Sequence, residues 1–76
     1  METMTKTDRV HTAGMEAYET RNDVFEAVYT AMKAEGVRAI FAAPVAAEYQ
    51  FMINKGYWDK SGPRPAREIL ATWFGE

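Results

Sequence analysis

Apolar residues recur at helical spacing along most of the chain. Between Met15 and Glu35 the larger ones fall on one side of a helix, at Met15, Tyr18, Phe25, Val28, Tyr29 and Met32. This spacing predicts an amphipathic helix whose opposite face is charged. Gly36 is placed to end it, because glycine readily takes the left-handed conformation found just after a helix. The pattern therefore predicts a first helix over residues 15–35.

The same stretch allows two other interpretations. Thr20 followed by Asp23, or Asn22 by itself, could cap a shorter helix that begins near residue 21, with residues 15–19 as a separate turn. A heptad repeat would instead place Asn22 in a coiled-coil seam, with a and d positions at Met15, Tyr18, Asn22, Phe25, Tyr29 and Met32. We favour the amphipathic helix, in which Asn22 is a cap or an exposed residue.

Two further helices are expected after the first. Pro44 suits the first residue of a helix over residues 44–55, because proline is favoured in the first helical turn. Pro65 suits the start of a third helix over residues 65–74 for the same reason. Its apolar stripe consists of Ala66, Ile69, Leu70, Trp73 and Phe74.

The remaining segments have weaker patterns. Residues 37–43 are evenly apolar, and we expect a buried connector there, with a short strand pairing across a dimer as the alternative. Residues 1–13 offer few apolar side chains and are predicted to be a flexible tail. Residues 14–76 would then form one domain, an all-α, small and compact three-helix fold. Self-association as a dimer would increase its stability, since so short a chain buries only about 60% of the surface that its unfolded form exposes.

Composition supports a folded chain and excludes several classes of site. Of the 76 residues 47% are hydrophobic and 26% are charged, which is typical of globular proteins. The absence of cysteine excludes disulfides, thiolate metal sites and a cysteine nucleophile. No apolar run approaches the ~20 residues of a membrane span, and the first residues lack the apolar core of a signal peptide. We therefore expect a cytoplasmic protein with no membrane partner.

Catalytic chemistry has little support in the sequence. His11 is the one histidine and lies in the predicted tail, and Ser61 lies in a loop with no base nearby in sequence. The five glycines are dispersed and form no phosphate-binding loop. Two acidic pairs with a spacing of three, Glu16 with Glu19 and Asp23 with Glu26, lack the Glu-x-x-His element of bundle metal sites. We expect no enzyme activity, no cofactor and no metal.

Charge is distributed unevenly along the chain. The formal net charge is -2, which disfavours direct binding of nucleic acid through phosphates. Acidic residues cluster in the first predicted helix, at Glu16, Glu19, Asp23 and Glu26. Because they are spaced three or four apart, these carboxylates are predicted to share a helix face. Cations cluster instead in residues 55–67.

The basic segment also contains two adjacent aromatic residues. Its candidate partner-binding side chains are Tyr57, Trp58, Lys60, Arg64 and Arg67. Aromatic residues and arginine are enriched at the centres of protein interfaces, and they also stack on the bases of single-stranded nucleic acid. The alternative is that Tyr57 or Trp58 closes the core between two helices.

A foldable core without catalytic chemistry favours a protein that acts by binding. We expect a small non-enzymatic module that masks a surface of a larger protein or protein–nucleic acid complex, using the acidic face and the basic segment. Small acidic domains of this character occur among phage and mobile-element inhibitors such as anti-CRISPR proteins, although no motif here identifies a family. The alternatives are a nucleic-acid-binding or transcriptional regulatory protein using residues 55–67, and an accessory subunit of a larger enzyme.

Overall fold

A computed structural model describes residues 4–57, 62 and 65–76 of the chain. Within these residues all regular secondary structure is helical, and no strand is present. The helices described there are α1 (Lys6–Glu19), α2 (Val24–Ala34), α3 (Ala39–Asn54) and α4 (Ala66–Phe74). The predicted all-α class is confirmed, but the prediction of three helices is wrong.

The first helix begins in the segment predicted to be a flexible tail. Thr5 is its N-cap: the Thr5 hydroxyl accepts from the backbone N–H of Asp8, and the Asp8 carboxylate accepts from the N–H of Thr5. This reciprocal pair is a capping box, which satisfies two backbone donors at the helix start. Val10 is fully buried, so residues 6–13 belong to the folded core rather than to a tail.

The predicted helix over residues 15–35 is interrupted at residues 20–23, which connect α1 to α2. The backbone N–H of Asn22 bonds to the carbonyl of Ala17, and that of Arg21 bonds to the carbonyl of Tyr18. This is a Schellman motif, and Arg21 occupies its left-handed position with φ of 61°. Asn22 is exposed in the turn, so the interpretation with a separate turn before a capped helix is closer than one continuous helix or a coiled-coil seam. Its details are wrong, however: residues 15–19 are helical and belong to α1, and the N-cap of α2 is Asp23 rather than Thr20 or Asn22.

The third helix begins five residues earlier than predicted. Residues 39–43 form its first turn, so the connector or strand expected over residues 37–43 is not found. Pro44 therefore lies inside the helix rather than at its first position. Its missing N–H affects one backbone bond, to the carbonyl of Ile40, near the helix start where Ile40 is exposed to solvent.

The fourth helix agrees closely with its prediction. Pro65 is the N-cap, Ala66 is the first helical residue and Gly75, in the left-handed conformation, is the C-cap. Ala66, Ile69 and Leu70 are buried as the stripe predicts, whereas the Trp73 side chain is 41% exposed.

The four helices pack in a closed cycle in which α1 contacts α2, α2 contacts α3, α3 contacts α4 and α4 contacts α1. The described part of the molecule measures 27 × 27 × 22 Å. Its largest fully buried side chains are Tyr49, Met32, Ile53, Leu70, Val10, Val28 and Thr7. Burial of this apolar surface is the main stabilising contribution.

Polar contacts hold α1 to its neighbours at the surface. Both Nε and Nη2 of Arg9 donate to the Glu35 carboxylate, at 2.7 Å each, joining α1 to the end of α2. The carboxylate of Glu76 accepts from the backbone N–H of Thr7 at 3.0 Å and from its hydroxyl at 2.7 Å. Glu76, which follows the C-terminal end of α4, thereby caps the N-terminal end of α1. This contact holds the residues predicted to be a tail against the rest of the fold.

Within residues 4–57, 62 and 65–76, no helix has the length and apolar character needed to span a membrane.

An acidic groove as the candidate functional site

A groove runs between α1 and α2 on one side of the hairpin that the two helices form. It encloses about 990 Å³ and is open to solvent. The tight turn at residues 20–23 reverses the direction of the chain, so the second half of α1 lies beside the first half of α2. The groove, referred to below as the acidic groove, is lined by Ala13, Glu16, Ala17, Glu19, Thr20, Asn22, Asp23, Glu26, Ala27, Thr30, Ala31 and Ala34.

Alanine occurs repeatedly along both walls of the acidic groove. On α1 the alanines are Ala13 and Ala17, and on α2 they are Ala27, Ala31 and Ala34. Each pair of successive alanines on a helix is three or four residues apart, so each set lies on one helix face. Since a methyl group projects little from the helix, a partner's backbone or side chain can approach these faces closely. The groove can therefore accommodate one face of an extended or helical segment.

All four acidic residues singled out from the sequence line this groove. Glu16 and Glu19 come from α1, Asp23 from the turn and Glu26 from the first turn of α2. The sequence places neighbouring members on one helix face, and the hairpin then brings the two helices' carboxylates to one concave surface. Lysine and arginine do not occur among the lining residues. The acidic groove therefore presents one sign of charge, which concentrates cationic groups there.

Two of the four carboxylates also have a role in the fold. Asp23 is the N-cap of α2, and its side chain accepts from the backbone N–H of Glu26 at 3.3 Å. Glu26 lies in the first turn, where a negative charge interacts favourably with the helix dipole. Glu16 and Glu19 are exposed, and Glu19 lies at the C-terminal end of α1, where the dipole disfavours a negative charge. A helix-stabilising role therefore does not account for Glu19.

The carboxylates of the acidic groove are not arranged for a metal. Among the described residues, no group of three or more histidine and acidic side chains is positioned to hold a metal ion. The groove can still bind a large cationic surface, because that requires charge and shape rather than converging ligands.

A second, smaller cavity lies beyond the same turn. It encloses about 480 Å³ and is lined by Tyr18, Glu19, Arg21, Asn22, Val24, Gln50 and Asn54. Both Glu19 and Arg21 line it, so this cavity carries charges of both signs. It lacks the uniform charge of the acidic groove.

The basic segment is only partly described. Of its candidate residues, Trp58, Lys60 and Arg64 lie outside the described residues. Tyr57 is half-buried and packs against the hydrophobic core, as the core-closing alternative predicts for one of the two aromatic residues. The Cα of Gly62 lies so close to the Tyr57 ring that a β-carbon at residue 62 would overlap it.

Arg67 is engaged within the protein. Its guanidinium donates to the carboxylate of Asp8, so this ion pair joins α4 to the start of α1. The hydrogen bond from Arg67 lowers the pKa of Asp8 from its usual value of 3.8. Neither Tyr57 nor Arg67 lines the acidic groove, so the structure does not combine the described parts of the two predicted patches into one site.

His11 is buried rather than located in a tail. The Tyr49 hydroxyl hydrogen-bonds to Nδ1 of His11, and the two rings meet edge to face with centroids 5.8 Å apart. The pair connects α1 to α3 through the centre of the fold. This contact depends on two residues that are 38 positions apart, and no local pattern indicates it.

Sequence reasoning missed an exposed apolar surface on α3. Ile40 is 73% exposed and Phe51 is 56% exposed, and Phe41 contacts the exposed Trp73 of α4 with ring centroids 5.7 Å apart. The sequence does indicate this surface, because apolar residues occur on all sides of α3. A helix of this kind is usually buried by neighbours on more than one side.

No protein-family model, curated protein or solved structure matches this chain. The function therefore has to be inferred from the geometry and charge of its own residues.

Proposed function

We propose that this protein is a non-enzymatic binding module that attaches through the acidic groove to a basic surface of a larger protein or protein–nucleic acid complex. Occupying that surface would mask it, and the protein would act as an inhibitor or adaptor. The observation that carries the proposal is that Glu16, Glu19, Asp23 and Glu26 line one open groove whose lining contains no lysine or arginine.

Basic channels that hold nucleic acid are the best-matched class of surface. Such channels present lysine and arginine to a regularly spaced row of phosphates. Carboxylates three or four residues apart on neighbouring helices provide a comparable row of negative charges. We therefore infer that the protein competes with nucleic acid for its partner, as an inhibitor of a phage or mobile-element type such as an anti-CRISPR protein would.

The groove is a better candidate than the basic segment for the principal contact. Arg67 is already paired with Asp8, and Tyr57 packs on the core, so both side chains already have a role within the fold. The carboxylates of Glu16 and Glu19 are exposed at the surface of α1.

The proposal is tested with a variant that reverses charge in the acidic groove without removing the α2 cap. Glu16→Lys/Glu19→Lys/Glu26→Lys, the groove-reversed variant, leaves Asp23 in place. Glu68→Lys is the matched control, because Glu68, like Glu26, is an exposed acid in the first turn of a helix. Circular dichroism tests whether both variants are folded.

Tagged wild-type protein and both variants are used to capture partners from a nuclease-treated bacterial lysate. We expect a protein that the wild type and Glu68→Lys retain and the groove-reversed variant loses. Isothermal titration with the purified partner should then show binding that weakens with salt and with added oligonucleotide. Equal retention by the groove-reversed variant would refute the proposal.

A further inference from the structure

The exposed side of α3 has the pattern of a helix that packs against another helix. Ile40, Pro44, Ala47 and Phe51 follow one another at intervals of four, three and four residues, which is the spacing of a and d positions in a helix seam. All four are exposed. The side chains that face the core, Ala42, Ala46, Tyr49 and Ile53, lie on the opposite side of the helix. We refer to the exposed set as the α3 stripe.

Cations lie at both ends of the α3 stripe. The guanidinium carbon of Arg38, the N-cap, is 5.0 Å from the ring centroid of Phe41. Nζ of Lys55, the C-cap, is 5.6 Å from the ring centroid of Phe51. Glu48, the acidic residue of α3, is exposed. It follows Pro44 by four residues and precedes Phe51 by three, so helical geometry places it along one edge of the stripe. The exposed face is therefore apolar along its centre, positive at its ends and negative at this one edge.

This surface complements the acidic groove in shape and in charge. The groove has alanine methyl groups along both walls and carboxylates around them, whereas the stripe projects Ile40 and Phe51 and is flanked by Arg38 and Lys55. Small residues on one side and large residues on the other allow helices to pack at close distance. We propose that the α3 stripe of one copy docks in the acidic groove of a second copy of this chain.

Charge favours this arrangement over pairing of two α3 helices. In a parallel pair aligned end to end, Arg38 would face Arg38 and Lys55 would face Lys55. In an antiparallel pair Arg38 would face Lys55. Both arrangements place cations next to cations, which is unfavourable. Docking in the acidic groove places the same cations next to carboxylates.

The contact joins two different surfaces, so it is heterologous. Each pair of copies retains one open groove and one open α3 stripe, and further copies can add until a ring closes. Self-association would occupy the groove that the proposed function assigns to a partner, and the two would compete. The inference thus rests on the groove being a docking surface, but it concerns purified protein and can fail while partner binding holds.

Sedimentation velocity of the purified chain tests self-association directly. At low salt we expect the average mass to rise above 8.6 kDa as concentration increases from about 10 µM to about 1 mM, and to fall again when salt is added. Ile40→Ser/Phe51→Ser and the groove-reversed variant should each remain monomeric, whereas Glu68→Lys should behave as the wild type. Glu16→Gln/Glu19→Gln/Glu26→Gln replaces the groove-reversed variant if circular dichroism shows that the latter is unfolded.

A mixing experiment separates the proposed contact from other modes of association. Ile40→Ser/Phe51→Ser keeps an intact groove, and the groove-reversed variant keeps an intact α3 stripe. Their equimolar mixture should therefore form dimers that contain one chain of each variant, and no larger species. A wild type that stays monomeric throughout would overturn the inference. So would a mixture without dimers, or a groove-reversed variant that still self-associates.

Discussion

Gly14 of α1 lies directly against the aromatic ring of Tyr49 of α3. A β-carbon at residue 14 would be 2.8 Å from Cε1 of Tyr49 and 3.0 Å from Cγ2 of Val28. Tyr49 and Val28 are both fully buried, so neither can easily move aside. The absence of a side chain at this one position allows α1 to approach the centre of the fold closely enough for His11 to reach the Tyr49 hydroxyl.

Gly14→Ala should destabilise the protein, although alanine is the better helix former by about 1 kcal/mol. Overpacking a buried site typically costs about 1–3 kcal/mol, so we expect a net loss in the free energy of unfolding. Urea denaturation measures it. Thr12→Ala, at an exposed position of the same helix, should change stability by no more than about 0.5 kcal/mol. A Gly14→Ala variant more stable than the wild type would contradict the close packing.

Replacing Arg21 by glycine should stabilise the protein. Arg21 has φ of 61°, a conformation that costs a non-glycine residue about 1–2 kcal/mol. Glycine removes this strain but makes the unfolded chain more flexible, which offsets about 0.5–1 kcal/mol of the gain. We expect the free energy of unfolding to increase by up to about 1 kcal/mol.

The matched change is Gly36→Ala, at the equivalent position after α2. Gly36 has φ of 93° and no neighbouring atom within 4 Å of an added β-carbon, so its substitution tests backbone conformation without a clash. It should destabilise by about 1 kcal/mol. Both variants are compared by urea denaturation, and a loss of stability in Arg21→Gly would argue against the left-handed turn.

Two isoleucines of α3 provide a test of which side of this helix is buried. Ile53 is 1% exposed, and Ile40 is 73% exposed. Ile53→Ala should lower the free energy of unfolding by about 2–5 kcal/mol, because it leaves a cavity in the core. Ile40→Ala should change it by no more than about 0.5 kcal/mol at concentrations where the chain is monomeric. Equal effects in thermal or urea unfolding would show that α3 is oriented differently.

Acid should destabilise the protein through three carboxylates that interact with α1. Hydrogen bonds from Arg67, Arg9 and the backbone N–H of Thr7 lower the pKa values of Asp8, Glu35 and Glu76, respectively, from 3.8, 4.5 and 4.5. Because these pKa values are lower in the folded state, the unfolded chain binds more protons in this range. Their stabilising contribution is present above about pH 4.5 and is lost as the pH falls through the lower folded pKa values.

The predicted loss of stability at low pH is tested by measuring the urea midpoint of unfolding between pH 7 and pH 3. Glu76→Gln should be less stable than the wild type at pH 7, and the difference should shrink as the pH falls below about 4. Parallel stability curves for the two proteins would show that Glu76 does not interact with the start of α1.

Local sequence patterns determined the helical class and several helix ends. Gly36 and Gly56 follow α2 and α3 with positive φ, as expected for glycines that end helices, and the spacing of Ala66, Ile69 and Leu70 placed α4 and its buried face correctly. The acidic face was also recognisable, because residues three or four apart share one side of a helix whatever the helix packs against.

The tertiary structure decided the features that depend on distant or unusual contacts. The sequence offered the turn between α1 and α2 only as an alternative to one continuous helix, because Arg21, and not glycine, takes the left-handed conformation there. The start of α1 has a local signal, the capping box of Thr5 and Asp8, but the contact that holds these residues to the rest of the fold comes from Glu76, 69 residues from Thr7. The acidic groove likewise required the hairpin that sets α2 beside α1. Spacing along one helix fixes which side chains share a face, but only packing between helices decides which faces meet and which remain exposed.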